Sequence, residues 1–251
     1  MKIGNPSPDW VLPPKDPTLE DREIHVWRAL LDVKESQRND LLRTLSAEER
    51  QRTERFRFQR DREHFVTSRG FLRAVLARYL RTEPKRIRFR ESRYGKPEIE
   101  EKGSWAPLQF SVSHSQGLAL YAVACRRNVG VDVEKVRSVD HAKIAGRFFS
   151  RGEISALLAL PSELQREAFY DCWTRKEAFV KARGEGLSLG LNQFEVSLGP
   201  GQECSLLKTA WDEAEPARWS IRALRPSPGY AGAIAFEGKG MEIRYWQLQC
   251  E

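Results

Sequence analysis

The chain is expected to fold as an α+β protein made of two α+β halves. Three observations predict this. Period-2 alternation and 3.6-residue apolar stripes occupy separate segments. The order strand, helices, strands occurs twice along the 251 residues. No solenoid period or low-complexity tract competes with that reading. The halves are drawn at residues 1–125 and 126–251.

The elements follow in order. Residues 1–15 read as an extended, proline-rich arm. Glu23–Asp32 opens with strand alternation. Ser46-Ala-Glu-Glu49 is a capping box for a helix running to Arg57. A second helix fits Arg62–Arg81. There Phe65, Ser68, Leu72, Val75, Leu76 and Tyr79 share one face, and Arg69 and Arg73 lie off it. Arg86–Arg90 is a short strand, and Tyr94-Gly-Lys-Pro97 is a turn. Leu108–Ser113, Leu118–Cys125 and Val129–Glu134 are strand-like runs joined by short turns, which predicts an antiparallel meander. Helices follow at Asp140–Phe148, Ser150–Ala159 (capping box Ser150…Glu153) and Ser162–Arg183. Phe194–Leu198, Trp219–Ala223, Ala231–Ala235 and Ile243–Gln247 close the second half as strands.

Hydrophobic residues make up 40% of the chain and aromatics 10%, which is a globular composition. No apolar run approaches the ~20 residues of a membrane helix, and the N-terminal stretch lacks a signal-peptide core. A cytoplasmic protein is therefore expected, with no membrane partner. Cysteines 125, 172, 204 and 250 fit neither a metal motif nor a disulfide framework and are expected to be reduced. Residues 50–93 hold 15 basic and 5 acidic residues, in a chain of net charge +7. Such a segment attracts anions, or is simply a solvated face.

Two blocks carry the chemistry. In Gly130-Val-Asp-Val-Glu134 the carboxylates of Asp132 and Glu134 leave one face of a strand. In Trp173-Thr-Arg-Lys-Glu-Ala-Phe-Val-Lys181, Glu177 and Lys181 are an i, i+4 pair. Alone, the first block also describes a strand with a wet face, and the second a helix salt bridge around a Trp anchor. Together they offer three carboxylates and two lysines, a set that suits a divalent metal and a phosphate-bearing substrate. Ser113 and His114 end a strand where they can donate to phosphate, or cap a turn. Gly95 and Pro97 fix where Lys96 points. No G-x-S-x-G, P-loop, G-x-G-x-x-G or H-E-x-x-H motif is present, so a nucleophile is expected to come from a substrate.

In order and spacing, these stretches resemble the Sfp-type 4′-phosphopantetheinyl transferases. The resemblance rests on Tyr94-Gly-Lys-Pro97, Phe110-Ser-Val-Ser-His-Ser115, Gly130–Glu134, Arg147-Phe-Phe-Ser150, Trp173–Ala182 and Gly184–Leu189. It spans about residues 45–235 and is similar in wording to cyanobacterial and related bacterial members. It implies two similar α+β halves related by a pseudo-two-fold axis, with coenzyme A in the cleft between them. It implies magnesium, or manganese in its place, on Asp132, Glu134 and Glu177. Lys181 would reach the pyrophosphate. Tyr94, Gly95, Lys96 and Pro97 would flank the adenine nucleotide, and Ser113, His114 and Arg60 would lie near the 3′-phosphate. His64 stands where some relatives have arginine, and Ser111 where many have asparagine.

The reaction so implied moves 4′-phosphopantetheine from coenzyme A to a serine of an apo acyl or peptidyl carrier protein, in fatty-acid, polyketide or nonribosomal-peptide synthesis. Glu177 takes the serine proton, and adenosine 3′,5′-bisphosphate leaves. A monomer is expected, and nucleic acid is not an expected partner. A magnesium-dependent nuclease and a nucleic-acid-binding module using residues 50–93 are the rival readings.

Overall fold

The computed structural model describes residues 9–100, 108–199 and 202–248. The first half contains β1 (Glu23–Leu30), α1 (Glu35–Thr44), α2 (Ala47–Thr53), α3 (Gln59–Leu80), β2 (Phe89–Glu91), β3 (Pro97–Ile99), β4 (Leu108–Ser115) and β5 (Leu118–Cys125). The second contains β6 (Val129–Lys135), α4 (His141–Phe148), α5 (Arg151–Leu158), α6 (Ser162–Arg183), β7 (Phe194–Val196), β8 (Leu206–Thr209), α7 (Glu215–Arg218), β9 (Trp219–Leu224), β10 (Tyr230–Glu237) and β11 (Glu242–Gln247). The arm expected at residues 1–15 is described only from residue 9, where Val11 bridges to Trp246. Cys125, Cys172 and Cys204 are buried free thiols; Cys250 lies outside the described residues.

The two halves repeat one plan: a strand, three helices, a two-stranded hairpin, then two strands, to which the second adds the short α7 and the final β11. Sheet order is β1-β5-β4 in one half and β6-β10-β9 in the other. Even the internal staples match. The capping-box glutamates, Glu49 of α2 and Glu153 of α5, each reach a buried cation at the fifteenth position of a 22-residue helix. These cations are Arg73 of α3 and Lys176 of α6.

Side-chain alternation sets the layers. Ile24, Val26, Leu118, Leu120 and Ala122 face Val129, Val131, Val133, Ile234 and Phe236, so the sheets pack face to face. The opposite face of the first sheet carries Trp27, Ala29 and Tyr121 against Leu72, Val75 and Leu76 of α3. The opposite face of the second packs Ala233, Ala235 and Ile221 with Ala178, Phe179 and Ala182 of α6.

Three expectations are corrected. β6 is not the third strand of a meander. Both edges of β5 are taken, one by β4 and the other by β1, so β6 crosses over and starts the second sheet. Arg73, read as off the apolar stripe, is 1% exposed because Glu49 and the carbonyls of Pro84 and Ile87 receive its guanidinium. Residues 84–86 form a 3-10 turn, and the strand begins only at Phe89. In addition, β11 returns to lie parallel to β1, so the last strand of residues 126–251 belongs to the first sheet.

Gly130 explains how α6 comes so near β6. A Cβ there would collide with the backbone carbonyl of Ala178 and the amide of Ala182. Gly130→Ala is expected to cost about 2–3 kcal/mol, the upper part of the usual overpacking range, read as a lowered urea midpoint.

Candidate active site

The close approach at Gly130 places one face of β6 beside α6. Asp132 and Glu134 follow Gly130 on that face, and Glu177 and Lys181 project from α6. With Val112, Ser113, His114 and Trp173 they line one cavity of about 380 Å3. Trp173 anchors its wall, its ring packing on Phe148, Phe149 and Phe169.

Asp132 is 3% exposed. Its Oδ1 accepts from Ser113 Oγ at 2.7 Å and from Lys181 Nζ at 2.7 Å. Its Oδ2 is buried without a protein partner among the described residues. Glu134 Oε2 accepts from Ser115 Oγ at 2.8 Å. Burial pushes the pKa of Glu177 up; the charges of Asp132 and Glu134 add to this, and Lys181 opposes it. Glu134 is raised too, by burial first and by Asp132. The three carboxylates therefore feel one another across the cavity, with Lys181 among them as a partial counter-charge. Among the described residues, no three His, Cys, Asp or Glu side chains are already gathered tightly enough to hold a metal ion.

The Glu177 shift has a consequence for stability. Its folded pKa lies above its unfolded value, so its ionisation disfavours the metal-free fold as pH rises through the folded pKa. Metal-free Glu177→Gln is expected to melt above wild type at neutral pH. That advantage should vanish toward pH 4, where both side chains are neutral. Scanning calorimetry across pH checks this.

A second cavity of about 250 Å3 opens from the first and shares Val112, Glu177 and Lys181 with it. Its far wall is Tyr94, Gly95, Lys96 and Pro97, with Gly184 and Gly186 against that turn. Gly184 (φ 73°) ends α6 in the left-handed conformation, and a Cβ on Gly186 (φ 58°) would press on the Tyr94 carbonyl. Lys96 Nζ donates to the carbonyls of Lys181 at 2.8 Å and Val129 at 3.3 Å, tying the turn of one half to the other. Burial lowers its pKa to about 8.

Beyond that turn, sharing Gly95 and Pro97, lies a groove of about 1140 Å3 that includes Arg52, Arg69, Arg88 and Arg90. The charge count of residues 50–93 pointed to such a surface without singling out these four. Arg60 lines none of these spaces; it is exposed near Asp32, at 3.9 Å. His64 also holds Asp32, at 2.8 Å. His114 sits at the cavity mouth, where desolvation and then Lys181 and His64 depress its pKa. The hydroxyl of Ser113, read as a phosphate donor, is engaged with Asp132. The role of Ser115 was missed, since a serine one residue past a turn histidine carries no sequence signal of its own.

Two family models match the chain. One, described as the 4′-phosphopantetheinyl transferase superfamily, covers residues 128–235, and one described as 4′-phosphopantetheinyl transferase, N-terminal, covers residues 32–126. The 4′-phosphopantetheinyl transferase HetI of Nostoc sp. is 38% identical over 238 residues, 94% of this chain and 97% of that protein. The chain belongs to the 4′-phosphopantetheinyl transferase superfamily. The phosphopantetheinyl transferase Sfp of Bacillus subtilis is 33% identical, over 76% of this chain and 81% of its own length. The human L-aminoadipate-semialdehyde dehydrogenase-phosphopantetheinyl transferase is 26% identical, over 77% and 67%. The two matched stretches of this transferase meet at the turn between β5 and β6. By position in the repeat, the sixteenth and twentieth residues of α6 are Glu177 and Lys181, where α3 has Ala74 and Arg78. Only the second half of this phosphopantetheinyl transferase thus carries the acid-lysine pair on its long helix. Among the described residues, no helix is long and apolar enough to cross a membrane.

Proposed function

We propose that this transferase moves the 4′-phosphopantetheine group of coenzyme A onto a serine of an apo acyl or peptidyl carrier protein, working as a cytoplasmic monomer. The single observation that carries this is the cavity in which Asp132, Glu134 and Glu177 stand beside Lys181, with Asp132 Oδ2 unpartnered. A buried bare carboxylate oxygen beside two carboxyls of raised pKa fits a hard divalent cation, magnesium or manganese. Asp132, Glu134 and Glu177 would hold it. Bound there, it would supply charge stabilisation for a pyrophosphate.

The residues of the chain do the rest. The neighbouring cavity and arginine groove accept the nucleotide end of coenzyme A, with Tyr94, Gly95, Lys96 and Pro97 between them and His114 at the mouth toward the phosphates. Glu177 takes the proton of the carrier serine; its raised pKa brings it nearer the operating pH of a general base. The serine Oγ–phosphorus bond forms at the β-phosphate as the pyrophosphate P–O bond breaks. The electron pair leaves on adenosine 3′,5′-bisphosphate. Lys181 offsets that charge, and orientation in the cleft lowers the barrier further.

The test is mass spectrometry of apo carriers incubated with the protein, coenzyme A and magnesium. A gain of one phosphopantetheine is expected. No gain on any of a fatty-acid, a polyketide and a nonribosomal-peptide carrier would overturn the reading, and relative rates among the three would identify the preferred partner.

A further inference from the structure

Strands β4 and β6 run side by side along the seam between the two sheets, yet neither is a neighbour of the other in a backbone ladder. β6 is an edge strand there, and its seam-side amides lie at residues that are buried (Val131, Val133) or partly buried (Lys135). Three serines of β4 receive them. Ser111 Oγ accepts from Val131 N–H at 3.1 Å, Ser113 Oγ from Val133 N–H at 3.4 Å, and Ser115 Oγ from Lys135 N–H at 3.2 Å.

A hydroxyl that accepts from an amide still has a hydrogen to donate. On two rungs that hydrogen goes to the carboxylate just before the bound amide. Ser113 donates to Asp132 Oδ1 at 2.7 Å, and Ser115 donates to Glu134 Oε2 at 2.8 Å. On the third rung the corresponding residue is Gly130, which has no side chain to receive it. One row of hydroxyls therefore seals the edge of β6 and fixes which oxygen of each carboxylate remains free. For Asp132 the consequence is visible: Oδ1 is doubly engaged and Oδ2 is left bare.

We propose that Ser113 and Ser115 are positioning residues. Belonging to the first half, they set the rotamers of Asp132 and Glu134 in the second, and so hold the cation-binding oxygens across the seam. Neither serine need touch the cation; each acts through its carboxylate, as outer-shell hydrogen bonds do in metal sites generally. The proposal rests on the cation assignment given under Proposed function. It also explains why a site built by one half needs the other half against it.

Ser111 supplies the internal control, because Ser111→Ala removes an amide acceptor of the same kind without touching a carboxylate. The probe is manganese, titrated by electron paramagnetic resonance at saturating coenzyme A without carrier, alongside urea denaturation. All three alanine variants are expected to lose similar stability. Ser113→Ala and Ser115→Ala are expected to weaken manganese binding about tenfold, the low end of outer-shell effects. Ser111→Ala should bind as wild type, and Ser115→Thr should recover the affinity that Ser115→Ala loses. Wild-type affinity in Ser113→Ala and Ser115→Ala, or an equal loss in all three, would overturn the positioning role while leaving the metal assignment in place. No manganese binding by the wild type would overturn the assignment and the proposal with it. If Ser113→Ala fails to fold, the Ser115 pair of variants decides alone.

Discussion

Asp132→Ala is expected to slow carrier modification at least about a hundredfold, the scale of losing one preorganised charge-stabilising group. The fold should survive. Removing the carboxylate breaks the 2.7 Å contacts with Lys181 and Ser113. It also removes the like charge that raises the pKa of both Glu134 and Glu177. Those effects oppose each other in stability but not in catalysis, since the buried, unpartnered Oδ2 goes with the side chain. Asp132→Asn sharpens the test, as an amide keeps an acceptor for Ser113 without the charge. A continuous assay of adenosine 3′,5′-bisphosphate release, with circular dichroism melts of each variant, separates the outcomes. Asn at near wild-type rate would refute a charge requirement at this position. A large drop in melting temperature for Ala would make the loss structural.

The second large effect lies away from the chemistry. Lys176→Met is expected to destabilise the protein by about 3–5 kcal/mol, because it leaves a buried carboxylate without its cation. Lys176 is fully buried and bonds both oxygens of Glu153 and the Phe194 carbonyl, each at 2.7 Å. Glu153 in turn receives the amides of Ser150 and Val196, joining α5, α6 and β7 at one point. A loss of that size is a large share of a domain stability of about 5–15 kcal/mol. The matching change in the first half, Arg73→Met, should cost less. There Glu49 keeps Arg69 as a second cation and is less deeply buried. Urea unfolding of both variants gives the comparison; equal losses would mean that the two staples do not differ as their partners suggest.

Much of this was legible from the sequence, for local reasons. The capping boxes at Ser46 and Ser150 formed as read, because both partners lie within one turn. Helix α3 carries much of its apolar face in its own periodicity, whereas α6 is buried on nearly all sides of its C-terminal half. Helix α1 was missed because ESQRNDLLRT buries only Leu41 and has no side-chain cap. Strand β8 was missed because four residues with one buried side chain give no period. Arg73 lies off the apolar stripe and Lys176 counts as one of the two lysines of the site block until their glutamates, 24 and 23 residues away, are placed against them; Lys176 is spent on Glu153 and does not line the site cavity.

The sequence alone determined most element types, the α+β class and the family, since helix caps, side-chain periods and motif order are properties of neighbouring residues. It also supplied the acidic and basic residues from which a site could be built. Tertiary structure decided which sheet β6 joins, that β11 returns to β1, and that two serines of one half meet two carboxylates of the other. Those outcomes turn on free strand edges and on the desolvation of buried charge. Both are set by whatever packs across the seam, and the residues that do so are distant in the chain.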